Sequence, residues 1–231
     1  MSIGSRVWLN SIAVLVSWIG FPAPEAARPA PVALRHAEGL VHGFLLLRTQ
    51  AGETIADGDL MQVARPGQVT SRLVFHFKDG SLHDETTVFS QRGNFRLLNE
   101  HLVQKGPAFQ HPLEVSIDVS TGRVVVRSSD DEGKEKVETE RLDLPSDVAN
   151  GMILTLLKNI PPDVPLTKVS MVAATPKPRV VRLAISPRGE EPFSTGGSSR
   201  KAMHYVVKVE IGGAAGLVAP LLGKQPPDTH V

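Results

Sequence analysis

His76, His83 and Glu85 are the residues whose types and spacing come nearest to chemistry. They flank Asp79-Gly80, a dipeptide that favours a two-residue β-hairpin turn, because both central positions need positive φ. That turn sets Lys78 opposite Ser81, Phe77 opposite Leu82, His76 opposite His83 and Val74 opposite Glu85. Opposed side chains in such a ladder lie about 4.5–5.5 Å apart at Cβ. Two imidazoles and a carboxylate at that spacing could hold one metal ion such as zinc. The same face carries Val74, Lys78 and Thr87, and the Lys78 ammonium would repel a cation. An exposed polar face is therefore the competing reading.

The remaining polar candidates carry less. His101 and His111 have no other ligand type close in sequence and read as solvated or hydrogen-bonded side chains. Asp143 and Asp147 flank Pro145 and read as helix-entry residues. Ser194 to Ser199 is Gly/Ser-rich but lacks the lysine and the strand-to-helix setting of a phosphate loop, so a flexible loop is expected. No nucleophile elbow, zinc-protease helix, Walker loop or dinucleotide fingerprint occurs, and no cofactor is called for. Triads assemble in space, so this weakens a catalytic reading without removing it.

The elements that must position these residues are mostly strands. Val41 to Thr49, Leu60 to Arg65, Val69 to Phe77, Glu85 to Ser90 and Phe95 to Val103 are apolar or alternating runs punctuated by turn residues. Leu113 to Val119 and Val124 to Ser128 predict a hairpin over Thr121-Gly122 with Val119 opposite Val124 and Ile117 opposite Val126. Val137 to Leu142 follows, after an acidic and basic tip at Asp130 to Lys136. Ser146 to Lys158 changes period: Val148, Ala149, Met152, Ile153, Leu156 and Leu157 recur at three and four. A helix is predicted there, capped by Ser146 or Asp147 and stopped by Pro161-Pro162. Strands resume at Leu166 to Ala173, Val180 to Ser186 and Met203 to Ile211, with Arg188 to Arg200 expected as a mobile loop. Thr229-His230 looks like a strand just beginning, which suggests a chain continuing past Val231.

Composition fixes the broad class. The 231 residues carry 25 Lys plus Arg against 24 Asp plus Glu, a net charge of +1. With basic residues scattered, no nucleic-acid footprint exists. The start combines Arg6, an apolar run from Val7 to Phe21 and a small-residue exit, the parts of a secretory signal peptide. That run is shorter than the roughly 20 residues a spanning helix needs, so residues 1–27 read as a signal peptide or N-terminal anchor. No other transmembrane span is expected. Residues 28–38 read as a linker and 39–231 as one β-rich domain. The chain has no Cys, which removes disulfides and a lipid-modified cysteine. A periplasmic or extracellular place follows.

Several motifs, in order, resemble those of an uncharacterised family of exported bacterial antiparallel-β proteins. They are Gly39-Leu-Val-His-Gly-Phe44, Phe77-Lys-Asp-Gly-Ser-Leu82, Gln104-Lys-Gly-Pro107, Leu144-Pro-Ser-Asp-Val-Ala-Asn-Gly151, Pro176-Lys-Pro-Arg179 and Lys224-Gln-Pro-Pro-Asp228. The resemblance covers nearly all of the expected mature chain. More distantly it is similar to periplasmic half-barrels that carry lipoproteins. It implies a fold and a compartment, and no catalytic residue. The expected fold is mainly β: a twisted antiparallel sheet forming an open barrel or half-barrel around one helix (146–158). The expected function is non-catalytic binding of an apolar small molecule, lipid or lipidated peptide, lined by Phe75, Phe77, Met152, Ile153 and Leu156. The alternatives are a structural partner of another envelope protein and, behind it, a metal-dependent hydrolase using His76, His83 and Glu85.

Overall fold

The computed structural model describes residues 29–130, 132–175, 177–195, 197–210 and 227–231. The expected signal peptide lies outside them. The first eight alternating runs form strands β1 (Val41–Arg48), β2 (Thr54–Arg65), β3 (Gln68–Phe77), β4 (Leu82–Arg92), β5 (Asn94–Lys105), β6 (Leu113–Asp118), β7 (Arg123–Ser129) and β8 (Glu135–Arg141). They pair antiparallel in sequence order as one meander. A short helix α1 (Ile153–Asn159) follows, then β9 (Thr167–Ala173), β10 (Arg179–Thr195), β11 (Ser198–Glu210) and β12 (Thr229–His230). These last four make a second antiparallel sheet in the order β12-β11-β10-β9. Among the described residues the protein is mainly β with a single helix, as its sequence predicts, and the eight-stranded sheet is not closed into a barrel.

One apolar core joins both sheets. Val69, Phe89, Val115 and Val124 of the first sheet and Val169, Ile185 and Val207 of the second meet around Val148, Ala149, Met152 and Leu156. Each such side chain contributes about 1.5–3 kcal/mol by leaving water. Residues 29–38, expected as a linker, are tied into this body. Val32 is buried in the core. The Arg35 and His36 amides donate to Asn159 Oδ1 at 2.9 and 2.7 Å. Glu38 pairs with Lys158 in the last turn of α1.

The hairpin registers correct the sequence reading. Between β3 and β4 the loop is three residues, not two: the Phe77 amide donates to Ser81 O at 3.0 Å, and Phe75 stands opposite His83. Gly80 has φ +87° while no non-glycine residue in the described chain has positive φ, so Asp79 cannot serve a turn that needs two such positions. Its carboxylate instead accepts the Ser81 amide at 2.9 Å, bracing the tighter bend. Between β6 and β7 the predicted register is off by two. Ile117 pairs with Val124 and Val115 with Val126. There the Asp118 carboxylate accepts from the Ser120 amide and hydroxyl, at 2.9 and 2.6 Å, and ends the strand early. A slip of two keeps the faces; a slip of one exchanges them.

The predicted 146–158 helix is cut to Ile153–Asn159. Before it the chain turns twice around an isolated bridge to β9: Ala149 N donates to Ser170 O and Ser170 N to Asp147 O, while the Asn150 amide group clasps both Val172 N and O. Asp147 therefore accepts the Ser170 hydroxyl at 2.9 Å rather than capping a helix. Gly151, at φ +64°, makes the turn into α1. The loop expected over 188–200 is instead a long ribbon, with β10 and β11 paired out to Thr195 and Ser198.

Gly151 crosses β4 so closely that a Cβ there would collide with Thr87 Oγ1. Gly151→Ala combines that collision with a left-handed backbone that L residues avoid, and is expected to destabilise by roughly 3 kcal/mol. Urea unfolding measures this; a loss below about 1 kcal/mol would contradict the close crossing.

Candidate functional site

The pleat sorts the first sheet into rows of side chains on the face turned toward α1. One row runs Gln62, Ser71, Thr87, Glu100, Ile117; the next runs Leu60, Leu73, Glu85, Leu102, Val115; a third runs Leu45, Gly58, Phe75, His83, Gln104. Near β6 and β7 these rows enter the core. Toward β1 they do not: Leu45, Leu47, Leu60, Leu73, Phe75 and Phe77 are half-buried and lie outside the core cluster. Phe75 lies over Gly58, where no Cβ would fit beneath its ring. Phe77 meets Phe109 edge-on at 5.4 Å.

A polar group sits in the middle of these rows. His83 Nε2 is 3.8 Å from Glu85 Oε2. Gln104 Nε2 donates to His83 Nδ1 at 3.0 Å, which leaves the ring proton on Nε2, facing Glu85. Glu85 and Glu100, diagonal neighbours on β4 and β5, hydrogen-bond through their carboxyl groups. Burial pushes the Glu100 carboxyl well up from its ordinary value, and the charge of Glu85 pushes it further. Burial pulls Glu85 the same way, but the hydrogen-bonding groups of His83 and Glu100, with the charge of His83, outweigh it and hold that carboxyl below the usual range. The pair therefore shares one proton, resident on Glu100.

The neighbouring row is satisfied only in part. Gln62 Nε2 donates to Thr155 Oγ1 of α1 at 2.8 Å and to Ser71 Oγ at 3.3 Å. Gln62 Oε1, Thr87 Oγ1 and Glu100 Oε2 are buried with no hydrogen-bond partner.

The sequence-derived candidates are thus divided. His83, Glu85, Phe75 and Phe77 share the inner face. His76 stands opposite Leu82 on the other face, so the proposed metal trio is not assembled. No group of three metal-ligating side chains occurs among the described residues. Met152 and Leu156 are sealed in the core at 1% and 2% exposure, and Ile153 is half-buried against it. His101 pairs with Glu114 on the outer face at 3.0 Å. A cleft of about 490 Å³ on the far side of α1, lined by Leu154, Leu157, Met203 and Tyr205, shares none of the candidates.

Glu100 is the residue the sequence reading misses. Phe95 and Leu97 point inward, and simple alternation would send Glu100 outward. An irregularity in the β4–β5 pairing, which sets Val88 opposite Asn99 but Phe89 opposite Leu97, leaves Leu98 unpaired and turns Glu100 in.

No family model, curated protein or solved structure matches the chain.

The carboxyl pair makes stability depend on pH in a defined sense. Glu100 is held neutral in the fold, so its contribution is complete below the ordinary carboxyl value of 4.5 and is lost as pH rises through its raised native value. Glu85 behaves oppositely and loses its contribution as pH falls. Glu100→Gln keeps a neutral donor beside Glu85. Above pH 4.5 wild-type stability is expected to fall with rising pH, by up to about 1.4 kcal/mol per pH unit until the raised native value of Glu100 is passed, and the variant's to stay flat by comparison. Parallel urea-midpoint curves for the two proteins would contradict the shared proton.

Proposed function

We propose that this is an exported, non-catalytic binding protein that holds an apolar small molecule, lipid or lipidated peptide against the inner face of β1–β5. One observation carries the reading: six large apolar side chains (Leu45, Leu47, Leu60, Leu73, Phe75 and Phe77) stand only part-buried on the inner face, apart from the core. A folded chain without a ligand gains nothing from leaving these side chains incompletely covered. The N-terminal charge and apolar run support export, and the motif resemblance to exported β proteins points the same way. Among the described residues no helix is long and apolar enough to cross a membrane.

A second reading, a structural partner in the envelope, has its own support at the sheet edge. The outer side of β1 and β2 exposes Phe44 at 81%, Leu46 at 55% and Met61 at 51%. Among the described residues β1 ends the first sheet, at an edge to which another strand could add.

Phe75→Ala tests the first reading. The ring stands on the face without supporting the core, so the protein is expected to stay folded while affinity for dodecanol falls about tenfold or more. Calorimetric titration gives the affinity, and native mass spectrometry of protein taken from its own envelope shows the bound species. Unchanged affinity in a folded variant would move the site elsewhere.

A further inference from the structure

The apolar face has a negatively charged middle, and that selects the ligand. We infer that the ligand carries a cationic, hydrogen-donating head, such as a protonated amine on an apolar chain, and that Glu85 pairs with it. The inference rests on the apolar-face reading above.

Four observations converge. Glu85 lies in the row between Leu73 and Leu102, so a chain lying on the leucines and phenylalanines brings its end to this carboxylate. Its side chain is 14% exposed. Among the described residues the one basic group paired with it is His83, at 3.8 Å. His83 Nδ1 faces Gln104 Nε2 at 3.0 Å, so the ring makes its second contact away from Glu85. An ionised carboxylate among apolar side chains is costly when unpaired and favourable once a cation joins it.

The acid pair does not stand alone as evidence. Thr87, next to Glu85 on the strand face and opposite Glu100 across the ladder, is 1% exposed and its hydroxyl has no partner. Glu100 Oε2, in a residue 4% exposed, also has none. Both can accept hydrogen bonds. An ammonium group has three donors and no acceptor, and so complements these atoms and the carboxylate together. A carboxylate or phosphate head would meet like charge and acceptors facing acceptors. A hydroxyl head would satisfy one atom and leave the charge unpaired.

Calorimetric titration of the purified protein at pH 7 with dodecylammonium, dodecanol and laurate, each below its micelle concentration, tests this. Dodecylammonium is expected to bind at least tenfold tighter than dodecanol, with laurate weakest, and the preference to shrink as salt rises. Glu85→Gln is expected to bring the amine down to the alcohol's affinity. Equal affinities for amine and alcohol in the wild type, or laurate the tightest, would overturn the head-group inference while leaving the apolar face intact. Binding of none of the three would overturn both. The wild-type comparison needs no variant and stands even if Glu85→Gln fails to fold.

Discussion

The bond from the Phe77 amide to Ser81 O fixes which side chains of β3 and β4 share a face, and the inner surface of the first sheet depends on that choice. Phe75 then meets His83, Leu73 meets Glu85 and Val69 meets Phe89. Two forces hold the register. On the outer face Arg72 forks onto Asp84 with bonds of 3.0 and 2.7 Å, but an exposed pair of this kind contributes at most about 1 kcal/mol. On the inner face Val69 and Phe89 are fully buried, and their burial contributes several times more. Core packing wins, and the Asp79 carboxylate shapes the turn to suit it. A slip by one residue would swap His83 and Glu85 for Leu82 and Asp84.

From that register follows a division of labour across one sheet. Toward β6 and β7 the inner rows are covered by the 146–160 segment and the second sheet and form core. Toward β1 they stay half-open. The carboxyl pair lies at the boundary, under Gly151, with Gln62 reaching α1 through Thr155. Buried polar groups cost roughly 1–3 kcal/mol each when a partner is missing. Gln62, Thr87 and Glu100 therefore work against stability, and perturbed carboxyls of this kind concentrate where a protein binds something. The shared proton limits the cost by leaving one charge between two acids.

Much of this fold could be read from the residues, and the exceptions have local causes. Pro66-Gly67 joins β2 to β3 because proline fixes its own φ and glycine freely adopts the φ of +87° found there. The Val115, Ile117, Val124 and Val126 face survives a register error of two. The helix was overestimated because Val148 and Ala149 have helical spacing yet bond to Ser170 on β9. The 188–200 segment has a loop's composition but inherits the pairing of the strands it joins. Glu85 and His83 were visible as candidates, and one residue of turn geometry decided their company. Glu100 was hidden by the irregularity at Leu98, a feature that alternation cannot report.

The shared proton between Glu85 and Glu100 is the most direct consequence of this register, and carboxyl carbon chemical shifts can observe it. With both side chains labelled by carbon-13, a titration from pH 3 to 9 should show Glu85 ionising first, below the ordinary glutamate range, and Glu100 only well above it. Both carboxyls titrating independently in the ordinary glutamate range would mean that the two side chains do not meet, and that β4 and β5 are not paired as described.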